Sequence, residues 1–310
     1  MWDSHIQNSD QELYDLLVKV LQNGGGFGVA SNDPDTDYKH LGHGDRILPE
    51  YINSIDNLGV RNLVITQNEM IWFANLKNLE FLMFVECEFN EDVFAPLENS
   101  MIRELYVKQS VMPGISGRSI SKLKKLETLG LTQSDFPDEF YKNCGALNIN
   151  TLGIYEVSVR AKNLKDMLPL PNLSMLLLYD TDIEDDITGF LNELPNLKTI
   201  CIYNASKLRC EFIRDMTNSD NIEKIEIGNT DIDDEILFAI THFKNLKSLI
   251  ISGNKITEDS IPVMETFAKE ERYIVLRDGD GEILYCSDPV YPIFIPSPEN
   301  SSTDDQIDEK

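Results

Sequence analysis

The feature that most constrains the fold of this chain is a short apolar pattern that returns about every 24 residues. Residues 246–256, LKSLIISGNKI, show its form, with apolar side chains at the first, fourth, sixth and eleventh places. Nine copies follow this form, and their fourth places hold Leu63, Leu82, Leu105, Leu129, Leu152, Leu176, Ile200, Ile225 and Leu249. Consecutive copies are 23 to 25 residues apart, except that the first step is 19 residues.

The repeated places are apolar far more regularly than the composition explains. Apolar residues make up 42% of the chain, so fewer than half of these places would be apolar by chance. In the nine copies only one of them, Lys207, is polar, and Leu208 stands beside it. The pattern therefore indicates a repeat protein rather than a chance spacing.

Each copy predicts a strand, a turn and a return segment. Leu249 and Ile251 alternate with their neighbours as in a short strand with one buried face. The residue at the ninth place, mostly polar, is expected to turn the chain and to satisfy backbone groups there. The sequence DDEILFAI at 233–240 predicts a helix with acidic residues in its first turn. Because each unit leaves an apolar flank that only a neighbour can cover, the units are expected to stack.

The repeated residues resemble the leucine-rich repeat family, whose LxxLxLxxN pattern and period of roughly 20–29 residues match these copies. The resemblance covers residues 60–276, about seven tenths of the chain. It implies an α/β fold, a curved horseshoe-shaped solenoid with a parallel sheet on the concave face and helices or irregular turns on the convex face. The resemblance specifies the fold but says almost nothing about function.

Residues 1–59 are predicted to form an N-terminal cap. The capping-box sequence SDQE at 9–12 begins a helix over about residues 10–22, whose apolar stripe would cover the first repeat. A long loop, residues 24–46, follows; it is rich in Gly and Asp and has no clear periodicity. Long loops in compact domains are often functional or mobile.

The other end of the solenoid needs a cap as well. Residues 277–296 are expected to provide it, since the sequence DGDG at 278–281 predicts a hairpin that protects the last edge of the sheet. Residues 297–310 are acidic and rich in Ser, which predicts a disordered tail.

The loop at 24–46 also carries the one alternative that involves an enzyme. Its carboxylates and imidazoles could ligate a metal, and they are Asp33, Asp35, Asp37, His40, His43 and Asp45. Their spacing matches no metal-site signature, so a plain loop is the favoured interpretation. The sequence therefore predicts no cofactor, no metal site and no catalytic residues.

The strand residues that point away from the core form the surface where a partner is expected. Three consecutive copies place a tyrosine directly after the sixth place: Tyr155, Tyr179 and Tyr203. Further apolar and aromatic residues of the same face are Tyr106, Leu177, Met175, Met83 and Phe81. Exposed apolar strips with tyrosines are typical of protein-binding surfaces. Two alternatives are that the tyrosines only stack across strands, or that the chain's own ends cover them.

The net charge of the chain indicates which classes of partner to expect. The chain has 27 Lys and Arg against 53 Asp and Glu, a net charge of −26. Such a charge repels nucleic acids and anionic lipids, so neither is an expected partner. Residues 166–197 contain acids but no Lys or Arg; helix capping and solvation account for them, and steering of a basic partner is the alternative. The chain is thus predicted to be a non-enzymatic interaction module, with an inhibitor or immunity-type protein against a basic enzyme as the alternative.

The cysteines indicate the compartment. There are five, an odd number, and none forms a CxxC pair. Free thiols in a reducing environment are the simplest interpretation. No secretory signal or membrane-spanning stretch is evident in the sequence, so a cytoplasmic location is expected.

Overall fold

The computed structural model describes residues 8–33, 36–181, 183, 187–252, 255–268 and 272–287. Its strands are β1 Gly26–Asp33, β2 Thr36–Leu41, β3 Ile55–Arg61, β4 Val64–Ile65, β5 Phe81–Val85, β6 Glu88–Phe89, β7 Glu104–Lys108, β8 Thr128–Thr132, β9 Thr151–Tyr155, β10 Met175–Tyr179, β11 Thr199–Tyr203, β12 Lys224–Gly228, β13 Ser248–Ser252, β14 Tyr273–Arg277 and β15 Ile283–Cys286. Its α-helices are α1 Asn8–Gln22, α2 Pro49–Ile52, α3 Gln67–Ala74, α4 Ser116–Ile120, α5 Asp138–Asn143, α6 Ala161–Asp166, α7 Thr188–Leu191, α8 Glu211–Arg214, α9 Glu235–Ile240 and α10 Ile261–Ala268. Three short 3₁₀ segments, Ala95–Asn99, Ser219–Asn221 and Glu258–Ser260, complete the described helical turns.

One 13-stranded sheet runs through the described part of the molecule. Its order is β15-β14-β13-β12-β11-β10-β9-β8-β7-β5-β3-β1-β2, so neighbours in space are neighbours in the repeat. From β3 to β14 every pairing is parallel, whereas β1, β2 and β15 pair antiparallel at the two ends. A parallel array of this kind needs a return segment between strands, and the helices and turns of each repeat provide it.

The alternation of β10 explains how each strand is held. Leu176 and Leu178 are fully buried, whereas Leu177 and Tyr179 between and beyond them are only partly covered. The return segments contact one another in chain order, from α3 through α10, and bury residues such as Phe140 and Phe190 against the strands. The apolar places of the repeat thus form one continuous core between the sheet and the return segments.

Hydroxyl groups at the turns satisfy the backbone, as the sequence predicts. Ser110 Oγ donates to the carbonyl of Lys108 over 2.7 Å and accepts the N–H of Cys87 over 3.0 Å. Ser134 repeats the arrangement one unit later, accepting the N–H of Ser110. At these two turns each unit therefore completes a hydrogen bond of the preceding one, which helps to fix the stacking of the units.

The frame predicted for the first repeat is wrong. The prediction placed its strand at Leu63 and Ile65, but the parallel strand is β3, in which Leu58 pairs with Leu82 and Val60 with Phe84. The step between the first two repeats is then the usual 24 residues instead of 19. Ile65 is apolar because it lies in β4, which pairs with β6 in a separate two-stranded sheet. Two overlapping sets of apolar residues fit the same template, and only strand pairing distinguishes them.

The long loop predicted at 24–46 is also wrong in part. Residues Gly26–Asp33 and Thr36–Leu41 form β1 and β2, a hairpin that extends the sheet beyond β3. Helix α1 contacts β3, and its Leu17 and Val20 are fully buried. Gly- and Asp-rich residues have weak strand propensity, but the open edge of β3 supplies hydrogen-bond partners that override it.

At the other end, β14 continues the parallel sheet and β15 pairs with it in antiparallel register. The predicted tail at 297–310 lies outside the described residues, and so do residues 288–296 of the predicted cap. None of the helices in the described segments combines the length and the apolar character needed to cross a bilayer.

Candidate functional site

The candidate site lies on the open face of the sheet, which we define as the side chains of β3–β14 that point away from the return segments. The last residue of each of the adjacent strands β9, β10 and β11 is a tyrosine. These residues, Tyr155, Tyr179 and Tyr203, pair in register with one another. All three are only partly buried. The structure therefore brings together the three tyrosines that the sequence places at equivalent positions.

The three rings form a stack that we call the tyrosine column. The ring centroids of Tyr155 and Tyr179 are 5.4 Å apart with an interplanar angle of 24°, and those of Tyr179 and Tyr203 are 5.1 Å apart at 15°. Stacking of this kind restricts the side chains and presents them as one rigid aromatic ridge. Cross-strand stacking, one alternative considered for these residues, is thus present, and it leaves part of each ring open to solvent.

Glycines make room for the aromatic rings. A Cβ at Gly153 would lie 2.5 Å from Cε2 of Tyr155, and one at Gly228 would lie 2.5 Å from Cδ1 of Tyr203. The ring of Tyr106 covers Gly130 in the same way, at 2.2 Å. The rings therefore occupy space that a side chain at these glycines would need. Sequence analysis missed these glycines, although their places between the fourth and sixth or just after the sixth residue of the repeat were a usable signal.

The other predicted residues flank the tyrosine column. Phe81 on β5 contacts Tyr106 on β7, with ring centroids 5.3 Å apart, and Met83 pairs in register with Tyr106. Met175 and Leu177 share β10 with Tyr179, and Met175 is 36% exposed. All the predicted residues thus lie on the open face, in a cluster on β5–β7 and a second one on β9–β11.

A small polar group completes the column. Cys201 Sγ lies 3.5 Å from Oε2 of Glu226, whose other oxygen forms a 2.7 Å ion pair with Lys224. Burial raises the pKa of the Cys201 thiol to about 12 and, more strongly than any other cause, raises the pKa of Tyr179 and Tyr203. These groups therefore stay protonated near neutral pH, which suits a contact surface better than a nucleophile.

Two exposed carboxylates border the column; Asp180 belongs to the predicted acidic stretch, whereas Glu156 was not singled out from the sequence. Glu156 and Asp180 directly follow Tyr155 and Tyr179, in the left-handed backbone region with φ of 54° and 53°. Neighbouring repeats have the same backbone conformation at this place, which allows each N–H to bond the last carbonyl of the next strand. Other acids of the predicted acidic stretch, namely Asp182, Glu184, Asp185 and Asp186, lie outside the described residues.

Three of the residues considered for a metal site have described side chains, and each has its own surroundings. His40 lies exposed on β2, His43 Nδ1 is 3.2 Å from the carbonyl of Leu21, and Asp45 accepts the N–H of Gly42. Asp35 lies outside the described residues, and so do the side chains of Asp33 and Asp37. Within the ranges that the structure describes, no three His, Cys, Asp or Glu side chains come close enough to hold a metal ion.

Among known proteins, the similarities of this chain are to solved structures. No protein-family model and no curated protein sequence matches the chain. Among solved structures, the TLR13–ssRNA13 complex superposes with a TM-score of 0.52 at 15% identity, over 74% of this chain and 33% of that one. The chain has the leucine-rich repeat fold.

Other solved leucine-rich repeat structures are similar at lower scores. A repeat protein of Leptospira interrogans has a TM-score of 0.42 at 20% identity, over 66% of this chain and 50% of that one. An internalin of Listeria monocytogenes has a TM-score of 0.41 at 14% identity, over 75% and 89%. The chain thus spans half of the Leptospira protein and a third of TLR13. At such identities the likeness establishes the fold alone.

Proposed function

We propose that this leucine-rich repeat protein is a non-enzymatic interaction module that binds a protein partner through the open face of the sheet. The single observation that carries the proposal is the tyrosine column, a rigid aromatic ridge that stays partly exposed in the middle of the sheet. Tyrosines held in this way lose little side-chain entropy on binding, which is why they are enriched at interaction sites.

The described ends of the chain are compatible with an accessible face. The hairpin β1–β2 and strand β15 extend the sheet at its two edges and do not fold across it. Tyr179, Tyr203 and Cys201 are neutral near pH 7, so the column itself is an uncharged aromatic centre, and the charges of Lys224 and Glu226 beside it balance each other. Such a centre with a polar rim is the usual arrangement of a protein interface.

The charge of the chain favours a protein with a basic surface. TLR13 is seen in complex with a single-stranded RNA, but a chain of net charge −26 would repel a phosphate backbone. We therefore do not extend that ligand to this protein. The same charge favours the second candidate function, an inhibitor or immunity-type protein that neutralises a basic enzyme. A cytoplasmic location, expected from the cysteine usage, is part of the proposal.

The test is affinity capture from native lysate with two matched variants. The first replaces Tyr155, Tyr179 and Tyr203 together by Ala. The control replaces Val111 and Phe238 by Ala, since both are exposed apolar residues outside the open face, 69% and 61% exposed. We expect the partner to be lost from the first variant and kept by the control, with both variants folded by circular dichroism.

Equal capture by the triple variant and the wild type would remove the tyrosine column as the main binding site. Loss of the same partner from the control would show that exposed apolar residues in general, and not this face, cause the capture.

A further inference from the structure

The carboxylates beside the tyrosine column differ from other carboxylates at the edges of the sheet. Glu86, at the place equivalent to Glu156 and Asp180, forms a 3.1 Å ion pair with Arg61. Glu223, where the strands begin, is held by both Lys198 and Lys247. In contrast, no cation among the described residues pairs with Glu156 or Asp180. Cross-repeat ion pairing is therefore available to this fold, but within the described segments it does not involve either carboxylate next to the column.

Amide groups fix the orientation of these two carboxylates. Gln133 Nε2 donates to Oε2 of Glu156, and Asn204 Nδ2 donates to Oδ1 of Asp180. Asn229 supports Asn204 through a 2.8 Å hydrogen bond. Each carboxylate thus has one oxygen held by an amide, which leaves the other oxygen to accept a donor from outside. Because both residues are exposed, such a donor can reach them without any rearrangement of the repeat.

The two carboxylates and the column form one surface. Glu156 and Asp180 follow Tyr155 and Tyr179 on paired strands, so their backbones are about 4.8 Å apart. Their amide partners lie on opposite sides of this pair, Gln133 after β8 and Asn204 after β11, and the two negative charges together favour a cation from a partner. A planar guanidinium, with donors on two sides, fits between two carboxylates better than a single ammonium does.

We infer that the partner places a basic side chain, of the arginine type, against Glu156 and Asp180 while adjoining apolar side chains cover the tyrosine column. The inference rests on the proposed function and specifies the chemistry of its partner. A second copy of this chain is the disfavoured occupant, because two molecules of net charge −26 repel each other. A metal ion is disfavoured too, since the described residues offer no group of three ligands here.

The experiment selects binders from a random 12-residue peptide library displayed on phage, using the full chain. Selected peptides are then synthesised with each arginine kept or replaced by citrulline, its neutral analogue. Binding is measured for wild type, for Glu156→Gln with Asp180→Gln, and for the triple tyrosine variant. The control, Glu86→Gln with Glu223→Gln, removes the same number of charges at carboxylates that already have cation partners.

We expect the selected peptides to contain arginine next to apolar residues. The Glu156 and Asp180 variant should bind them about three- to tenfold more weakly, as for exposed charge pairs, and citrulline should have the same effect on wild type. The control variant should bind within about twofold of wild type. Raising the salt concentration should weaken wild-type binding more than that of the Glu156 and Asp180 variant.

Two results would overturn the inference. Peptides that need the tyrosines but contain no basic residue, or that lose equal affinity in the control variant, would contradict the arginine contact and leave the proposed function standing. Peptides that bind the triple tyrosine variant as well as wild type, or a selection that yields no binder, would count against the proposed function and the inference together.

Discussion

The two faces of the sheet are built from the same strands but differ in what holds each side chain. On β10, Leu176 and Leu178 face the return segments and are completely buried. Leu177, between them, faces the other way and is half-covered by its neighbours. The buried face is fixed by close packing on every side, whereas the open face is fixed only by contacts within its own surface, such as the stack of Tyr179 on Tyr203.

This difference separates stability from binding along a single strand. A residue of the buried face cannot change without disturbing the neighbouring repeats, because each repeat is covered only by the next. A residue of the open face can change with little effect on the fold. The open face is therefore the part of the molecule where the repeat can carry a binding specificity, and the comparison can be tested by substitutions that differ only in the face they alter.

The largest expected effect contrasts two neighbouring leucines. Leu178→Ala should lower the free energy of unfolding by about 2–5 kcal/mol, because it leaves a cavity in a fully packed core. Leu177→Ala should lower it by no more than about 1.5 kcal/mol, since the side chain is already partly in water. Urea unfolding followed by circular dichroism measures both. Similar losses for the two variants would show that the open face is packed as tightly as the buried one.

A second contrast uses two glycines. At Gly117 an added Cβ would lie 2.4 Å from the backbone oxygen of Phe140, which cannot move away, so Gly117→Ala should destabilise the protein by about 1–3 kcal/mol. At Gly153 the added Cβ meets the end of the Tyr155 ring, which can swing into solvent. The free energy of unfolding of Gly153→Ala should therefore lie within about 1 kcal/mol of the wild-type value.

The displaced ring gives Gly153→Ala a second readout. The near-ultraviolet circular dichroism of the stacked tyrosines should weaken, and capture of the partner should fall. An unchanged spectrum together with unchanged capture would mean that the column does not depend on the glycine beneath it.

The tyrosines also predict how the open face responds to alkali. Burial raises the pKa of Tyr179 and Tyr203 above the usual value of about 10, so the folded state holds these protons more strongly than the unfolded state does. Their contribution to stability is complete below pH 10 and is lost as the pH rises toward their folded-state pKa. Replacing the three column tyrosines by Phe should make the loss of stability above pH 10 smaller, as measured by thermal unfolding. If the phenylalanine variant loses stability above pH 10 as steeply as wild type, burial does not cause the response to alkali.

The smallest effect distinguishes a paired carboxylate from an unpaired one. Lys247 and Lys198 lower the pKa of Glu223 to about 2, so Glu223 stabilises the fold above the unfolded-state pKa of about 4.3 and loses that effect as the pH falls toward 2. Glu223→Gln should flatten the dependence of stability on pH in that window. Glu156→Gln, which removes no described ion pair, should leave the dependence close to that of wild type. Thermal unfolding between pH 5 and about 2 compares the two variants; equal flattening would mean that pairing does not decide the acid response.

Much of this arrangement follows from the repeat alone. The spacing of Leu152, Leu176 and Ile200 determines both the buried face and the register that aligns the tyrosines, because each strand repeats the same alternation. The first repeat shows where spacing is insufficient: Leu58 and Leu63 both fit the template, and pairing with Leu82 selects Leu58. The hairpin β1–β2 could not be predicted for a related reason, since its strands depend on an open edge that the local sequence does not reveal.

What the sequence by itself determined is the set of units and the face on which each side chain lies, since a strand alternates its side chains and a repeat preserves that alternation. Only the tertiary structure decided which side chains meet across repeats. The rings of Tyr106 and Tyr203 cover Gly130 and Gly228 on the next strand, where an added Cβ would clash with them. Glu223 is held by two lysines, whereas the described partners of Glu156 and Asp180 are amides. The physical reason is that these contacts join residues about 24 positions apart, and their geometry exists only once the units have stacked.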